Sequence, residues 1–507
     1  MPRITTLTAL VCLGLLANCQ TSARATGAPL PNIVVLYADD LGYGDVACNN
    51  PGSRIPTPNV DRLAREGMRF TDAHSSSGIC TPSRYAMLTG RHHWRQFHDI
   101  VESFGPSVFE PGRLTMADML HSRGYRTACI GKWHLGWDWA AIRKPGAAEV
   151  TVGGKRIGYP ADAFDWSRPI PGGPCAHGFD HYFGDDVPNF PPYAWVEQDR
   201  VITAPTVAYV PNPVPREGSD EGRPGPMVAG WRLDEVMPRL VTHAVDWIEQ
   251  QRGGQPFFLY LPFTAPHAPI VPTAEYLGSS GAGVYGDYVV QMDAAVGAVL
   301  AALDRAGLAG DTLVVFSSDN GPEAYAWDRV RATGHRSMGS LRGLKRDVWE
   351  GGHRVPMVVR WPGLVPAGRT SDALFGQVDW MATIAAAIGV ELPVTAAEDS
   401  FDQLPVLRGE RESVRPFLVH NTYAGKFALR SGDWLYIDSP DGGHRKPPPW
   451  FTAAEGLLEP TGALGLYNLA EDPGQRRNRA AELPSLAASL AQQLATVRAQ
   501  GWSAPRR

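Results

Sequence analysis

The sequence predicts an α/β fold, with a mostly parallel sheet flanked by helices, joined to a small C-terminal α+β unit with an antiparallel sheet. Three observations lead there. Short continuous apolar runs, the pattern of buried strands, end in polar or charged residues. Strand and helix patterns alternate through most of the chain, as crossover connections require. From about Glu412 the texture changes to closely spaced short strands. At 507 residues the chain is too long for one ordinary core. The divisions expected are an export signal over 1–25, a main catalytic domain over 26–411 and a C-terminal subdomain over 412–507.

The first strand runs through Ile33-Val34-Val35-Leu36-Tyr37 into Asp39-Asp40. A helix over 57–67 starts at Thr57-Pro58 and stops at Gly67, and a strand over 68–74 follows. After a helix over 114–123, a strand over 125–130 ends in Gly131-Lys132-Trp133-His134. Residues 137–226 show little periodicity, which in a compact domain implies substrate-binding loops. Order returns with a helix over 233–251, a strand over 257–261, the turn 264–269 and a long helix over 286–306. A strand over 312–318 then ends in Asp319-Asn320-Gly321. The core finishes with a strand over 357–360 and a helix over 378–388. Short strands over 417–420, 427–430 and 434–437, and a helix over 483–498, make the tail unit.

The balance of charge, formally -5, gives no basic field for nucleic acid, and 44% hydrophobic with 20% charged residues is the composition of a globular protein. Arg3, an apolar run over 7–17 and Ala23-Arg24-Ala25 read as an export signal, too short to span a bilayer. Leu16-Ala17-Asn18-Cys19 leaves open a lipid-anchored form through Cys19. No later stretch is expected to cross a membrane. Cys12 and Cys19 belong to the signal, so Cys48, Cys80, Cys129 and Cys175 remain; they form neither a disulfide framework nor a Cys-x-x-Cys motif.

Two constellations carry chemistry. Cys80 opens a predicted helix with Pro82 in its first turn, and Arg84 falls on the same face four residues on. A helix N-terminus favours a thiolate, an alkoxide or a bound oxyanion, while the alternative is a buried structural cysteine. Asp39, Asp40, Asp319 and Asn320 form an all-oxygen set at two strand ends, suited to a hard cation such as Ca²⁺. Acids that cap turns are the competing reading.

Cys80-x-Pro82-Ser83-Arg84 followed by Leu88-Thr89-Gly90-Arg91 closely resembles the signature of the type I sulfatases. That resemblance implies an alkaline-phosphatase-like core and oxidation of Cys80 to formylglycine by a formylglycine-generating or anaerobic sulfatase-maturing enzyme. A hydrated aldehyde offers one hydroxyl to attack sulfur and a second to expel sulfate. By the same resemblance Asp39, Asp40, Asp319, Asn320 and residue 80 hold calcium, and Arg84 steadies the hydrate. Lys132 and His134 match the family's Gly-Lys-x-His, His267 its Ala-Pro-His, and Lys345 the lysine before Glu350-Gly351-Gly352. The lysines suit sulfate oxygens, His134 the deprotonation that releases sulfate, and His267 a proton or hydrogen bond for the departing oxygen. The stretch 466–474 is similar to a sulfatase C-terminal hairpin. Carboxylates, amides and aromatic rings over 178–193, more loosely similar to carbohydrate 6-sulfatases, imply a sulfated sugar of the galactose or N-acetylgalactosamine 6-sulfate type. Asp185, Asp186 and His335 are the residues expected to read its hydroxyls. The alternatives are an aryl sulfatase, a phosphodiesterase or phosphonate hydrolase, and a non-catalytic binder of sulfated glycans.

Overall fold

The computed structural model describes residues 30–152, 156–209, 217, 222–423, 425–458 and 462–505. The expected export signal, with Cys12 and Cys19, lies outside them. Ten strands form the main sheet: β1 (Asn32–Ala38), β2 (Met68–Phe70), β3 (Arg126–Lys132), β4 (His181–Asp186), β5 (Val196–Glu197), β6 (Arg200–Val201), β7 (Phe257–Pro262), β8 (Thr312–Ser318), β9 (Met357–Arg360) and β10 (Arg369–Ser371). Their spatial order is β10-β2-β9-β8-β1-β7-β3-β4-β5-β6. The five central strands, β8 to β4, are parallel to one another, whereas β9 and β5 join them antiparallel.

Every residue of β1 and β7 is buried, so both faces of the sheet are covered. Ile33, Val35 and Tyr37 point into one core; Val34, Leu36 and Ala38 point into the other. Helices α1 (Pro58–Glu66), α4 (Val236–Glu249) and α5 (Gly283–Ala306) cover the second face, while α2 (Cys80–Thr89), α3 (Met116–Ser122) and the helix Trp380–Ile388 cover the first. Helix α5 is long and apolar enough to cross a membrane, which corrects the expectation that no such stretch exists. It packs instead against α4 and α1, with Tyr285, Val289, Met292, Val296, Val299 and Leu303 buried.

Residues 178–193, read from sequence as loop, contain the central strand β4. Gly184 and two acids interrupt its apolar run, so pairing with β3 supplies what periodicity could not: Ala128 sits beside His181 and, after a register shift, Lys132 beside Asp186. Much of the remaining 137–226 stretch is also packed. Phe104, Trp139, Tyr159, Phe164 and Trp166 pack together, mostly edge to face, with Phe164 centred 4.9 Å from both Phe104 and Trp166.

The C-terminal sheet is antiparallel, in the order β11 (Phe417–Asn421), β12 (Phe427–Ser431), β13 (Trp434–Ile437), β14 (Gly465–Asn468). Its apolar face buries Leu490, Leu494 and Val497 of the helix Pro484–Gln500. Where this unit meets the core, the fully buried Arg415 donates to both oxygens of Asp379, at 2.9 and 2.5 Å. Removing one partner of such a pair leaves a buried charge uncompensated. Arg415→Ala should cost about 3–5 kcal/mol, read as a lower urea midpoint at unchanged native secondary structure.

Candidate active site

The central parallel strands deliver their C-terminal ends to one place, the edge where open α/β sheets bind ligands. Asp39 and Asp40 follow β1, Asp319 and Asn320 follow β8, Lys132 closes β3 with His134 two residues beyond, and His267 stands in the turn after β7. The Ala38 carbonyl accepts from Asp319 N, and the Ala265 carbonyl from Asp39 N, both at 3.1 Å. Cys80 is the first residue of α2 and its side chain is buried; the ligand atoms of Asp39, Asp40, Cys80 and His267 all lie within 4.8 Å of one another.

Three cations interlock with three carboxylates around this point. Lys132 Nζ donates to Asp39 Oδ2 at 2.6 Å, Lys345 Nζ to Asp40 Oδ2 at 2.8 Å, and Arg84 to Asp319 Oδ2 through Nε at 3.0 Å and Nη2 at 2.8 Å. Asn320 Nδ2 donates to Asp40 Oδ1 at 2.7 Å. The main chain at Asp40 is left-handed, with φ 64°, and its N–H donates to Asp319 Oδ1. These contacts fix oxygens from two strands against each other.

The family model for sulfatases matches residues 31–390. The chain belongs to the sulfatase family. It is 31% identical to the N-acetylgalactosamine-6-O-sulfatase of Bacteroides thetaiotaomicron, an alignment covering 96% of this chain and 97% of that protein. It is 33% identical to human arylsulfatase A over 88% of this chain and 83% of the relative. A solved structure from work on the metabolism of multiple glycosaminoglycans by Bacteroides thetaiotaomicron superposes with a TM-score of 0.75 at 29% identity, covering 93% and 100% of the two chains. The phosphonate monoester hydrolase of Agrobacterium radiobacter, at a TM-score of 0.57 and 18% identity over 93% and 96% of the chains, shares the fold alone. The reaction is sulfate-ester hydrolysis.

In this sulfatase the donor set fits a cation. Asn320 Oδ1 is buried with no hydrogen-bond partner among the described residues, and Asp39 Oδ1 has only the Arg84 guanidinium beside it, at 3.5 Å, so both have room for a ligand. Burial and the neighbouring Asp39 push Asp319 up to about 6 despite Arg84, a crowding of negative charge that a cation relieves. Burial likewise pushes the Cys80 thiol up to about 11, against the pull of Lys132 and Lys345.

The two histidines are held as different tautomers. His134 Nε2 faces the Val101 carbonyl at 3.0 Å and so carries the proton; Nδ1 is buried with no partner among the described residues, its lone pair free. Burial, with Lys132 and Arg84 nearby, keeps this imidazole neutral. His267 is the reverse: Nδ1 donates to the Ala268 carbonyl and Nε2 lies 3.7 Å from Asp40 Oδ2. Burial and Lys345 lower its pKa to about 3, against the pull of Asp40.

The structure separates the three residues expected to read a sugar. His335 is corrected outright: Nε2 donates to Asp45 Oδ1 at 2.8 Å and Nδ1 accepts from Arg54 N at 3.2 Å, so neither ring nitrogen is left for a hydroxyl. With Tyr285 of α5 on the other Asp45 oxygen, the Asp45 carboxylate ties the loop after β1 to both α5 and the His335 loop, and the histidine is one half of that clamp. Asp186 is partly committed, accepting from His134 N at 3.2 Å and, through its carbonyl, from Trp133 N. Asp185 is buried with Oδ1 unpartnered among the described residues, and burial pushes it up to about 7.

Sequence reasoning missed Thr81. Its hydroxyl donates to the His134 carbonyl at 2.8 Å and accepts from Val101 N at 3.1 Å, so it holds both the histidine and the carbonyl that sets the tautomer. The only signal was its place beside Cys80. Thr81→Val should lower kcat about tenfold, the worth of one or two buried hydrogen bonds, with the modification state of residue 80 unchanged by mass spectrometry.

Proposed function

We propose that this sulfatase hydrolyses a carbohydrate 6-sulfate of the galactose or N-acetylgalactosamine type through a formylglycine made from Cys80, with calcium as its metal. The observation that carries the reading is Cys80 itself. It stands in the maturation pattern at the head of α2, inside a ring of three cations and three carboxylates. A maturing enzyme of the host is the partner this requires, and passage out of the cytoplasm through residues 1–25, or a lipid anchor at Cys19, belongs to the same proposal.

Asp39, Asp40, Asp319 and Asn320, with the oxygen of the matured residue 80, would hold the calcium, whose charge offsets that of the sulfate group. The hydrated aldehyde, once formed, supplies the hydroxyl that attacks sulfur and the one that later expels sulfate. Lys132 spends one N–H on Asp39 and Lys345 Nζ meets both Asp40 oxygens, at 2.8 and 2.7 Å, so each ammonium keeps at least one N–H that can serve a sulfate oxygen. Arg84, anchored on Asp319, lies on the face of α2 that carries residue 80. His134 Nδ1 is the base for sulfate release. His267 presents Nε2 to the departing oxygen, and it delivers a proton only after acquiring one there, because Nδ1–H is fixed on Ala268.

The sugar assignment is supported by the name of the Bacteroides thetaiotaomicron relative and by Asp185, whose free oxygen lies on the strand that ends at the site. Human arylsulfatase A, at similar identity, keeps the aryl ester as the second reading.

Peptide mass spectrometry of protein made beside its maturing enzyme should show residue 80 as an aldehyde or its hydrate. Cys80→Ala should abolish sulfate release with the fold intact, and wild-type turnover in that variant would reject the mechanism. Among galactose, N-acetylgalactosamine and N-acetylglucosamine 6-sulfates, a galactosamine 4-sulfate and nitrophenyl sulfate, the highest kcat/KM is expected on a galacto-configured 6-sulfate. An aryl ester well above every sugar would replace the carbohydrate reading, and preference for the gluco sugar would replace the galacto assignment alone.

A further inference from the structure

The rim of the cleft beside Lys345 carries charge that binding a sulfate group does not use. Lys345 is followed by Arg346, whose φ of 78° lies in the left-handed region, where glycine sits without strain and a side chain does not. The backbone is held there by a bond from Arg346 N to the Gly78 carbonyl at 2.7 Å, two residues before Cys80. Its guanidinium donates to Glu323 Oε2, three residues beyond Asn320. The other oxygen of Glu323 faces Arg445 Nη1 at 4.0 Å, across from the C-terminal subdomain. Next to Arg445, the exposed His444 ring lies against Tyr423, centroids 4.9 Å apart and planes 29° apart, and Arg346 also reaches the Tyr423 hydroxyl. Lys426 donates to the Gly443 carbonyl and brings a third cation to this loop.

Two guanidinium groups thus face one carboxylate, with Lys426 on the neighbouring loop, beside an aromatic pair. Arg346 keeps a side chain where glycine would rest easily, and that side chain bridges Glu323 and the Tyr423 hydroxyl at the rim. Sugar rings pack their C–H faces on aromatic side chains, and guanidinium forks take carboxylate or sulfate oxygens in pairs. We propose that this rim is a subsite for an anionic sugar unit adjoining the one that loses sulfate. Tyr423 and His444 pack against its ring, and Arg346 and Arg445 take its carboxylate or second sulfate. The inference rests on the saccharide reading above.

The test compares kcat/KM on five esters. These are nitrophenyl sulfate, N-acetylgalactosamine 6-sulfate, a disaccharide joining a hexuronic acid to that sugar, the same disaccharide with its carboxyl reduced to an alcohol, and one carrying a sulfate in place of the carboxylate. The matured enzyme should favour whichever anionic disaccharide fits over the reduced one by about tenfold, a ratio that shrinks as salt is raised. Arg346→Gly, which suits the backbone at that position, and Arg445→Ala, on a separate loop, should each cut the ratio to about threefold or less. Both should leave turnover of the monosaccharide within about twofold of wild type. Equal rates on acidic and reduced disaccharides, or a preference that survives both variants, would overturn the subsite alone. Cleavage of nitrophenyl sulfate with no sugar ester cleaved would overturn the saccharide reading and the subsite with it.

Discussion

Burial of three carboxylates and three cations at one edge of a parallel sheet is the constraint on which the rest of the site depends. Lys132, Arg84 and the Asp39 and Asp319 carboxylates are fully removed from solvent, where an unpaired charge would cost several kcal/mol. Each ion pair is made between elements far apart in sequence: β3 with β1, α2 with β8, and the Lys345 loop with β1. The pairs hold the strand ends in register as much as they prepare the chemistry. Such an arrangement is poor value for stability alone, since well-packed apolar groups would serve at least as well. Its use is preorganisation, because charges already fixed in a dry site need no reorganisation when a sulfate group enters.

The same dryness decides the protonation of the groups that act. Burial pushes the Cys80 thiol well above its usual range, although Lys132 and Lys345 pull the other way. Buried imidazoles stay neutral, and which nitrogen bears the proton is set by one carbonyl apiece, that of Val101 for His134 and that of Ala268 for His267. These carbonyls belong to loops with no chemical signature of their own. Thr81 links one of them to the helix that carries residue 80, so His134 and residue 80 are held to the same turn of chain.

The C-terminal sheet does more than close the fold. Arg415 ties its base to the helix after β10, and the loops beyond β11 and β13 bring Tyr423 and His444 to the rim beside Lys345. The surroundings of Lys345 therefore come from both units, whereas the three interlocked ion pairs come from the core alone.

The sequence by itself determined the sheet class, the strand ends that carry acids and the helix that carries Cys80. Each of those is a local pattern: an apolar run with a polar terminus, or a proline in a first turn. The expected Lys132, His134 and His267 converge because parallel strands put all their C-terminal ends on one edge, whereas Lys345 reaches Asp40 from a loop that no strand ends in. Tertiary structure alone decided β4, whose Gly184 and paired acids hide a central strand from any periodicity and whose identity comes from pairing with β3. It decided also that His335 is a clamp, since a histidine's role rests on what its two nitrogens meet, and Asp45 lies 290 residues away. Long-range contacts of that kind leave no mark on composition or spacing, so the residues that orient the chemistry are legible only once the chain is folded.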